Sequence, residues 1–154
     1  MIQINRQTDY AIRIILALSK HPPGTRRATS EIRDEMLIPP ALSQRIVADL
    51  ARGNFIQTFP GRDGGIQLAR PAEQINLLQV VEYIQGPIYV SDCLITSGAA
   101  ACTFGGVCPV RNRWAKLRSL IRAELESQTF DQLAHDATEF QNLTRSVTTN
   151  PPGG

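Results

Sequence analysis

Cysteine is scarce in this chain, and all of it is in one place: Cys93, Cys102 and Cys108 are the only three. An odd count leaves one thiol over from any disulfide pairing. No signal peptide is recognisable, so a reducing, cytoplasmic compartment is expected, where lasting disulfides are rare. Histidine is scarcer still: His21 reads as a helix-end residue and His135 as a solvated surface residue, and neither is assigned as a ligand. No apolar run approaches the length of a membrane span, so no membrane partner is expected. There is no internal repeat. Net charge is only +2, which does not by itself argue for nucleic acid, so the placement of the charges must decide. What is present is ordinary: 154 residues, 42% of them hydrophobic, enough for one domain with a core or a small domain with an appendage.

The cysteine stretch reads C-LITSGAAA-C-TFGGV-C-P, with gaps of eight and five residues. Gly, Ala, Ser and Thr dominate the gaps, and a loop of small residues can fold back and bring several thiolates to one point. Such an arrangement suits a metal or an iron–sulfur cluster. A lone cysteine usually packs as a small hydrophobe, but a loop offers little core to pack into. Structural zinc usually shows short C-x-x-C pairs, absent here. An iron–sulfur cluster therefore ranks ahead of zinc, and zinc ahead of a redox thiol pair. Three cysteines leave a fourth ligand unnamed.

Taken in order, the chain opens with an amphipathic helix over 5–20, where Tyr10, Ile14 and Leu18 fall on one face. Asp9, near its start, has an ordinary reading as a carboxylate favoured by the helix dipole. A short helix over 29–37 follows, with Thr29 as expected N-cap. A third helix over about 41–52 has Leu42, Ile46, Val47 and Leu50 as its apolar stripe. Strands at 55–59 and 66–69 flank the turn PGRDGG. This order predicts a winged helix-turn-helix, the third helix entering the major groove and the hairpin lying along the backbone. Ser43, Gln44 and Arg45 are left on the exposed side of the third helix and Arg62 at the hairpin tip, while Arg26 and Arg27 precede the second helix. Gln and Arg can read base edges, and Arg62 can meet phosphate. The competing reading is a generic small α+β domain.

A fourth helix over 76–85 begins with an Asn76–Gln79 capping box. After Cys108, Val110, Trp114, Leu117, Ile121 and Leu125 mark the stripe of a long charged helix, broadened by Leu120. About twenty residues span ~30 Å, more than a small winged domain needs, so a dimerisation helix is expected, with Trp114, Leu117, Ile121 and Leu125 at the interface. Thr129 and Gln132 read as a capping box opening a short last helix, FDQLAHDA, before a polar tail expected to be disordered.

The pieces RQTDYAIRIILALS, GRDGGIQLARP, INLLQVVEYIQG, the three cysteines, the long helix and TFDQLA span most of residues 3–134. Together they resemble the bacterial iron–sulfur winged-helix repressors of the IscR, NsrR and RirA type. The resemblance implies a homodimer that binds a palindromic operator on double-stranded DNA through the third helix and wing. It also implies a cluster held by Cys93, Cys102 and Cys108, with DNA binding that depends on cluster state. The first gap is longer than in IscR-like and NsrR-like members and closer to RirA-like ones. IscR-like members carry a His three residues after the last cysteine, where this chain has Arg111. NsrR-like members take an Asp from the first helix of the other subunit, and Asp9 in T-D-Y-A matches it. Many members have Arg before the wing glycine, where this chain has Pro60.

The expected fold class is mainly α with a small β-hairpin. It comprises a winged helix-turn-helix domain at 1–80, a cluster loop with dimerisation helices at 81–147 and a disordered tail at 148–154. The expected function is a cytoplasmic, dimeric, DNA-binding regulator rather than an enzyme, acting as a repressor controlled by an iron–sulfur cluster that senses nitric oxide, iron or redox state. A 4Fe–4S cluster is favoured, since three thiolates plus the Asp9 carboxylate resemble the NsrR arrangement, and 2Fe–2S stays open. The alternatives are an iron–sulfur or thiol-redox carrier or enzyme using the three cysteines, and a regulator that senses through thiols without a cluster.

Overall fold

The structure, a computed structural model, describes residues 3–95, 102–104 and 107–148, with side chains described as far as residue 142. Helix α1 (Arg6–Ser19) is the element most others pack against. It starts where the Asn5 side chain accepts a hydrogen bond from the Thr8 N–H at 2.8 Å, satisfying one of the orphan donors of a first turn. Ala11, Ile14, Ile15 and Leu18 form its buried face.

Helix α2 (Thr29–Glu35) is preceded by Ala28, which provides no side-chain cap; Thr29, expected as N-cap, is the first helical residue instead. Helix α3 (Pro40–Arg52) opens with proline at its first position, where the missing N–H is no loss. Its buried residues are Ser43, Ile46, Val47 and Leu50, spaced at three, four and seven. The expected stripe began at Leu42, but Leu42 is exposed and Ser43 turns inward. Ser43 tolerates this because its hydroxyl donates to Pro40 O at 3.0 Å, so no buried polar group is left unpaired.

Strands β1 (Ile56–Phe59) and β2 (Gly65–Leu68) pair antiparallel, Ile56 opposite Leu68 and Phe59 opposite Gly65. Arg27 adds a single bridge to β2, exchanging both backbone hydrogen bonds with Ile66 at 2.9 Å. Gly65 has φ +124°, and a Cβ there would lie 2.5 Å from Arg27 O, so only glycine lets the segment before α2 close on the wing. These elements form the winged helix-turn-helix that the sequence predicts.

Helix α4 (Leu77–Gln85) carries the expected Asn76–Gln79 capping box with both hydrogen bonds formed. Helix α5 (Pro109–Ser127) follows the cysteine stretch. Helix α6 (Phe130–Thr148) is not short: it runs for 19 residues, because no proline or glycine interrupts the chain between Phe130 and Pro151. The expected Thr129–Gln132 box is not among the hydrogen bonds of the described residues. The Phe130 N–H donates to Ile75 O at 2.9 Å and the Leu77 N–H to Gln128 O at 3.0 Å, so the starts of α4 and α6 hold one another.

Most of the core lies between α1, α3, the wing and the start of α6, where Phe130 is fully buried. A boundary at residue 80 falls inside α4, and Phe130, from the C-terminal half, lies in the same core as Ile14 and Leu50. A second cluster joins Leu78, Val81 and Ile88 to Ile121 and Leu125 of α5. The expected disordered tail lies outside the described residues apart from Thr148, the last residue of α6. No helix among the described residues is long and apolar enough to cross a membrane.

Candidate nucleic-acid interface and cysteine site

The outward face of α3 carries Gln44 and Arg45, flanked one turn away on either side by the exposed Ala41 and Ala48. Small residues beside two long polar ones let the helix approach a groove while the long side chains reach base edges. Ser43 does not belong to this face. It is 4% exposed and its hydroxyl is engaged with Pro40, so it cannot reach a base. The neighbouring turn between α2 and α3 contains Leu37, 79% exposed and in the left-handed region at φ 54°.

Arg62 is exposed in the wing turn, next to Gly61 at φ +94°. Of the two arginines before α2, Arg27 is tied up, its guanidinium meeting Glu35 at 2.7 Å and Glu31 at 3.9 Å. The Arg26 guanidinium instead lies over the Phe59 ring, 3.6 Å from its centroid.

All three cysteines are free and half-buried. Cys93 sits in a short 3₁₀ turn (Asp92–Leu94), its Sγ 3.2 Å from Ser91 Oγ. Arg111, the residue in place of a histidine, donates from Nε to Cys93 O at 3.3 Å and so ties the turn to α5. Cys108 is the N-cap residue of α5, followed by Pro109. Most of the loop around Cys102, residues 96–101 and 105–106, lies outside the described residues. Three free thiols fit an iron–sulfur cluster by donor type. Among the described residues, no group of three His, Cys, Asp or Glu gathers to hold a metal ion within one chain.

Asp9 points elsewhere in the single chain. Its carboxylate pairs with Arg13 one turn on at 2.7 Å, with both side chains about half-exposed. Arg13 also donates to Met36 O at 3.2 Å, which reaches the turn between α2 and α3. The sequence reading missed Arg13, although an Asp and Arg four apart on a helix are the signal for such a pair. No local pattern could have linked Arg111 to Cys93, 18 residues away.

The expected dimer stripe on α5 divides. Trp114 and Leu117 are exposed, with Val110 and Leu120 beside them. Ile121 and Leu125 pack instead against α4 and Ile88 of the same chain, and the Arg122–Glu82 ion pair fastens the same contact.

A sequence profile of the Rrf2 family, described as "Iron-dependent Transcriptional regulator", matches residues 4–136. Among curated relatives, a Mycobacterium tuberculosis protein that carries the name of an HTH-type transcriptional regulator is 28% identical over 138 residues, covering 88% of this chain and 83% of that one. The HTH-type transcriptional regulator NsrR of Shouchella clausii is 24% identical over 148 residues, covering 96% of this chain and 99% of its own. Two solved structures share the fold with a TM-score of 0.71. CymR, described as the global cysteine regulator of B. subtilis, is 20% identical, with 88% of this chain and 98% of that one covered. IscR of T. potens is 17% identical, with 91% of each chain covered.

Proposed function

The chain belongs to the Rrf2 family of transcriptional regulators, and we propose that it is a homodimeric repressor whose operator affinity is set by an iron–sulfur cluster at Cys93, Cys102 and Cys108. The observation that carries this reading is the pairing of two things in one chain: a winged helix-turn-helix and three free, half-buried thiols, two of them, Cys93 and Cys108, beside α5. A carrier or enzyme using the same thiols has no need of a wing.

In this reading Cys93, Cys102 and Cys108 hold the cluster and the partner subunit's Asp9 supplies the fourth ligand, which favours 4Fe–4S. When bound, the cluster supplies a centre whose charge and ligation change with nitric oxide, oxygen or iron supply. The residues of this chain do the rest. Arg111 holds the Cys93 backbone on α5. Trp114 and Leu117 offer an exposed apolar face to a second copy. Gln44 and Arg45 read a palindromic operator in the major groove, and Arg62 meets its backbone. A ligand shared across subunits fixes the spacing of the two reading heads, and half-site spacing is a geometric demand of the operator.

A second reading has a specific observation in its favour. Ser91 Oγ lies within hydrogen-bond distance of Cys93 Sγ, a local arrangement that serves a thiol sensor without any cluster, and CymR, named for cysteine regulation, shares the fold. The experiment that separates the two is purification without oxygen. The cluster reading expects brown protein containing iron and sulfide, largely bleached by Cys93→Ala, Cys102→Ala or Cys108→Ala. Colourless, iron-free protein after anaerobic reconstitution, with DNA binding that still responds to thiol oxidation, establishes the second reading.

A further inference from the structure

The two arginines ahead of α2 have opposite surroundings. Arg27 is engaged within the chain through its backbone pair with Ile66 and its contacts to Glu31 and Glu35. Arg26 is exposed and has no carboxylate partner among the described residues. Its guanidinium is nonetheless held in place, 3.6 Å from the centroid of the Phe59 ring.

Phe59 is the last residue of β1, so the wing turn with Arg62 begins immediately after it. Its partner in register is Gly65, whose close approach to Arg27 O clamps residues 26–28 to the tip end of the wing. Arg26 therefore stands at the tip end of the wing, beside the turn that carries Arg62, which is exposed and has no carboxylate partner among the described residues. The aromatic ring lies against the Arg26 guanidinium carbon, and no hydrogen bond engages its N–H groups among the described residues. That is the geometry in which arginine grips a phosphate through two parallel hydrogen bonds. Orienting the group beforehand also reduces the rotamer freedom it loses on binding.

We infer that Arg26, stacked on Phe59, is a phosphate-binding residue of the DNA interface, and that Phe59 is its positioning residue. The inference rests on the DNA-binding reading and adds a contact outside α3 and the wing turn. A lysine at this position would keep the charge but lose the flat stack and the paired donors.

The test uses the full-length dimer and a duplex that the wild type selects from a random-sequence library. Binding is measured between 50 and 200 mM salt for wild type, Arg26→Gln and Phe59→Leu. Each phosphate contact adds about 0.9 to the slope of log affinity against log salt, so across that range wild type is expected to lose ~3-fold more affinity than Arg26→Gln. Phe59→Leu is expected to keep the wild-type slope but bind several-fold more weakly, because the charge remains while its orientation is lost. A wild-type slope for Arg26→Gln overturns the inference even if its affinity falls, since that pattern marks a packing role alone. Wild-type affinity for Phe59→Leu overturns the positioning role. If the wild type selects no duplex at all, the DNA-binding reading itself fails and the inference goes with it. A selected duplex with an unchanged slope removes the inference alone.

Discussion

Replacing Asp9 with alanine separates a helix-start carboxylate from a cluster ligand, because the two roles predict effects of different size in different assays. In the single chain Asp9 pairs with Arg13 at 2.7 Å, with the two side chains 45% and 41% exposed, and lies in the first turn of α1. An exposed pair at this spacing contributes ~0.3–0.5 kcal/mol, and a carboxylate in a first turn ~0.3–1 kcal/mol through the helix dipole. Cluster-free Asp9→Ala should therefore lose about 1 kcal/mol, a fall of roughly 2–4 °C in melting temperature for a chain of this size. The cluster-loaded protein should respond differently. Removing a ligand changes the absorption and circular dichroism of the anaerobic protein and lowers its iron content. It also removes the contrast in operator binding between loaded and cluster-free dimers, typically a factor of about 5–150 for a coupled site. The cluster-bound form of the wild type is expected to bind the tighter. An Asp9→Ala protein with an unaltered spectrum, full iron content and full contrast refutes the ligand role and leaves Asp9 as the partner of Arg13.

Two further outcomes follow from the DNA face and the apolar face. Arg45→Ala should weaken operator binding by roughly 1–3 kcal/mol and relax specificity at one base position, whereas Arg62→Ala should weaken binding evenly across sequences and lower the salt slope by about 1; footprinting and salt titrations read both, and wild-type behaviour of both variants removes them from the interface. Leu117→Glu places a charge on a face that is 38% exposed in the single chain, so the fold should survive while sedimentation shifts from dimer toward monomer, since an unpaired charge is disfavoured in an apolar seam; an unchanged dimer places the interface elsewhere.

The elements were legible because the local signals agreed with the packing. The period of α1, the turn chemistry of the wing and the reciprocal cap at Asn76 and Gln79 each act within a few residues, and each formed as read. Errors arose where one residue or a distant partner decided. Leu42 and Ser43 are both compatible with a helix start; the face buried through Ile46, Val47 and Leu50 takes in Ser43, and the Pro40 carbonyl satisfies its hydroxyl there. Arg26 and Arg27 are the same residue type side by side, and the difference between them comes from Glu31, Glu35 and Phe59. The α5 stripe read as one face because periodicity records which side is apolar, not what covers it. Ile88, beyond the end of α4, takes the lower half of that stripe into its own chain. The cysteine spacing named a donor type, but spacing carries no information about a ligand from a second chain.

The position of Asp9 gives the proposed switch a physical route. The first turns of α1 hold both halves of the chain at once. Toward the cysteine stretch, Gln85 Oε1 at the end of α4 accepts from the Asn5 N–H at 3.3 Å and the Thr8 hydroxyl at 3.0 Å. Toward the DNA face, Gln7 Nε2 donates to Asp49 of α3 at 2.9 Å, and Arg13 donates to Met36 O in the turn that leads into α3. Among the described residues, the Asp9 carboxylate is one of three groups that meet Arg13, with the Met36 carbonyl and the Tyr10 ring. Its hold on Arg13 is worth well under 1 kcal/mol at this exposure, so a ligand site on a partner subunit can draw it away at little cost. Among the described residues Arg13 then keeps the Met36 carbonyl and the Tyr10 ring, 5.5 Å from its guanidinium. A ligand shifts an equilibrium only through a difference in its interactions with the two states. On the proposed reading that difference lies in Asp9, which is bound to the cluster in one state and to Arg13 in the other, with the turn before α3 on the far side of the same arginine.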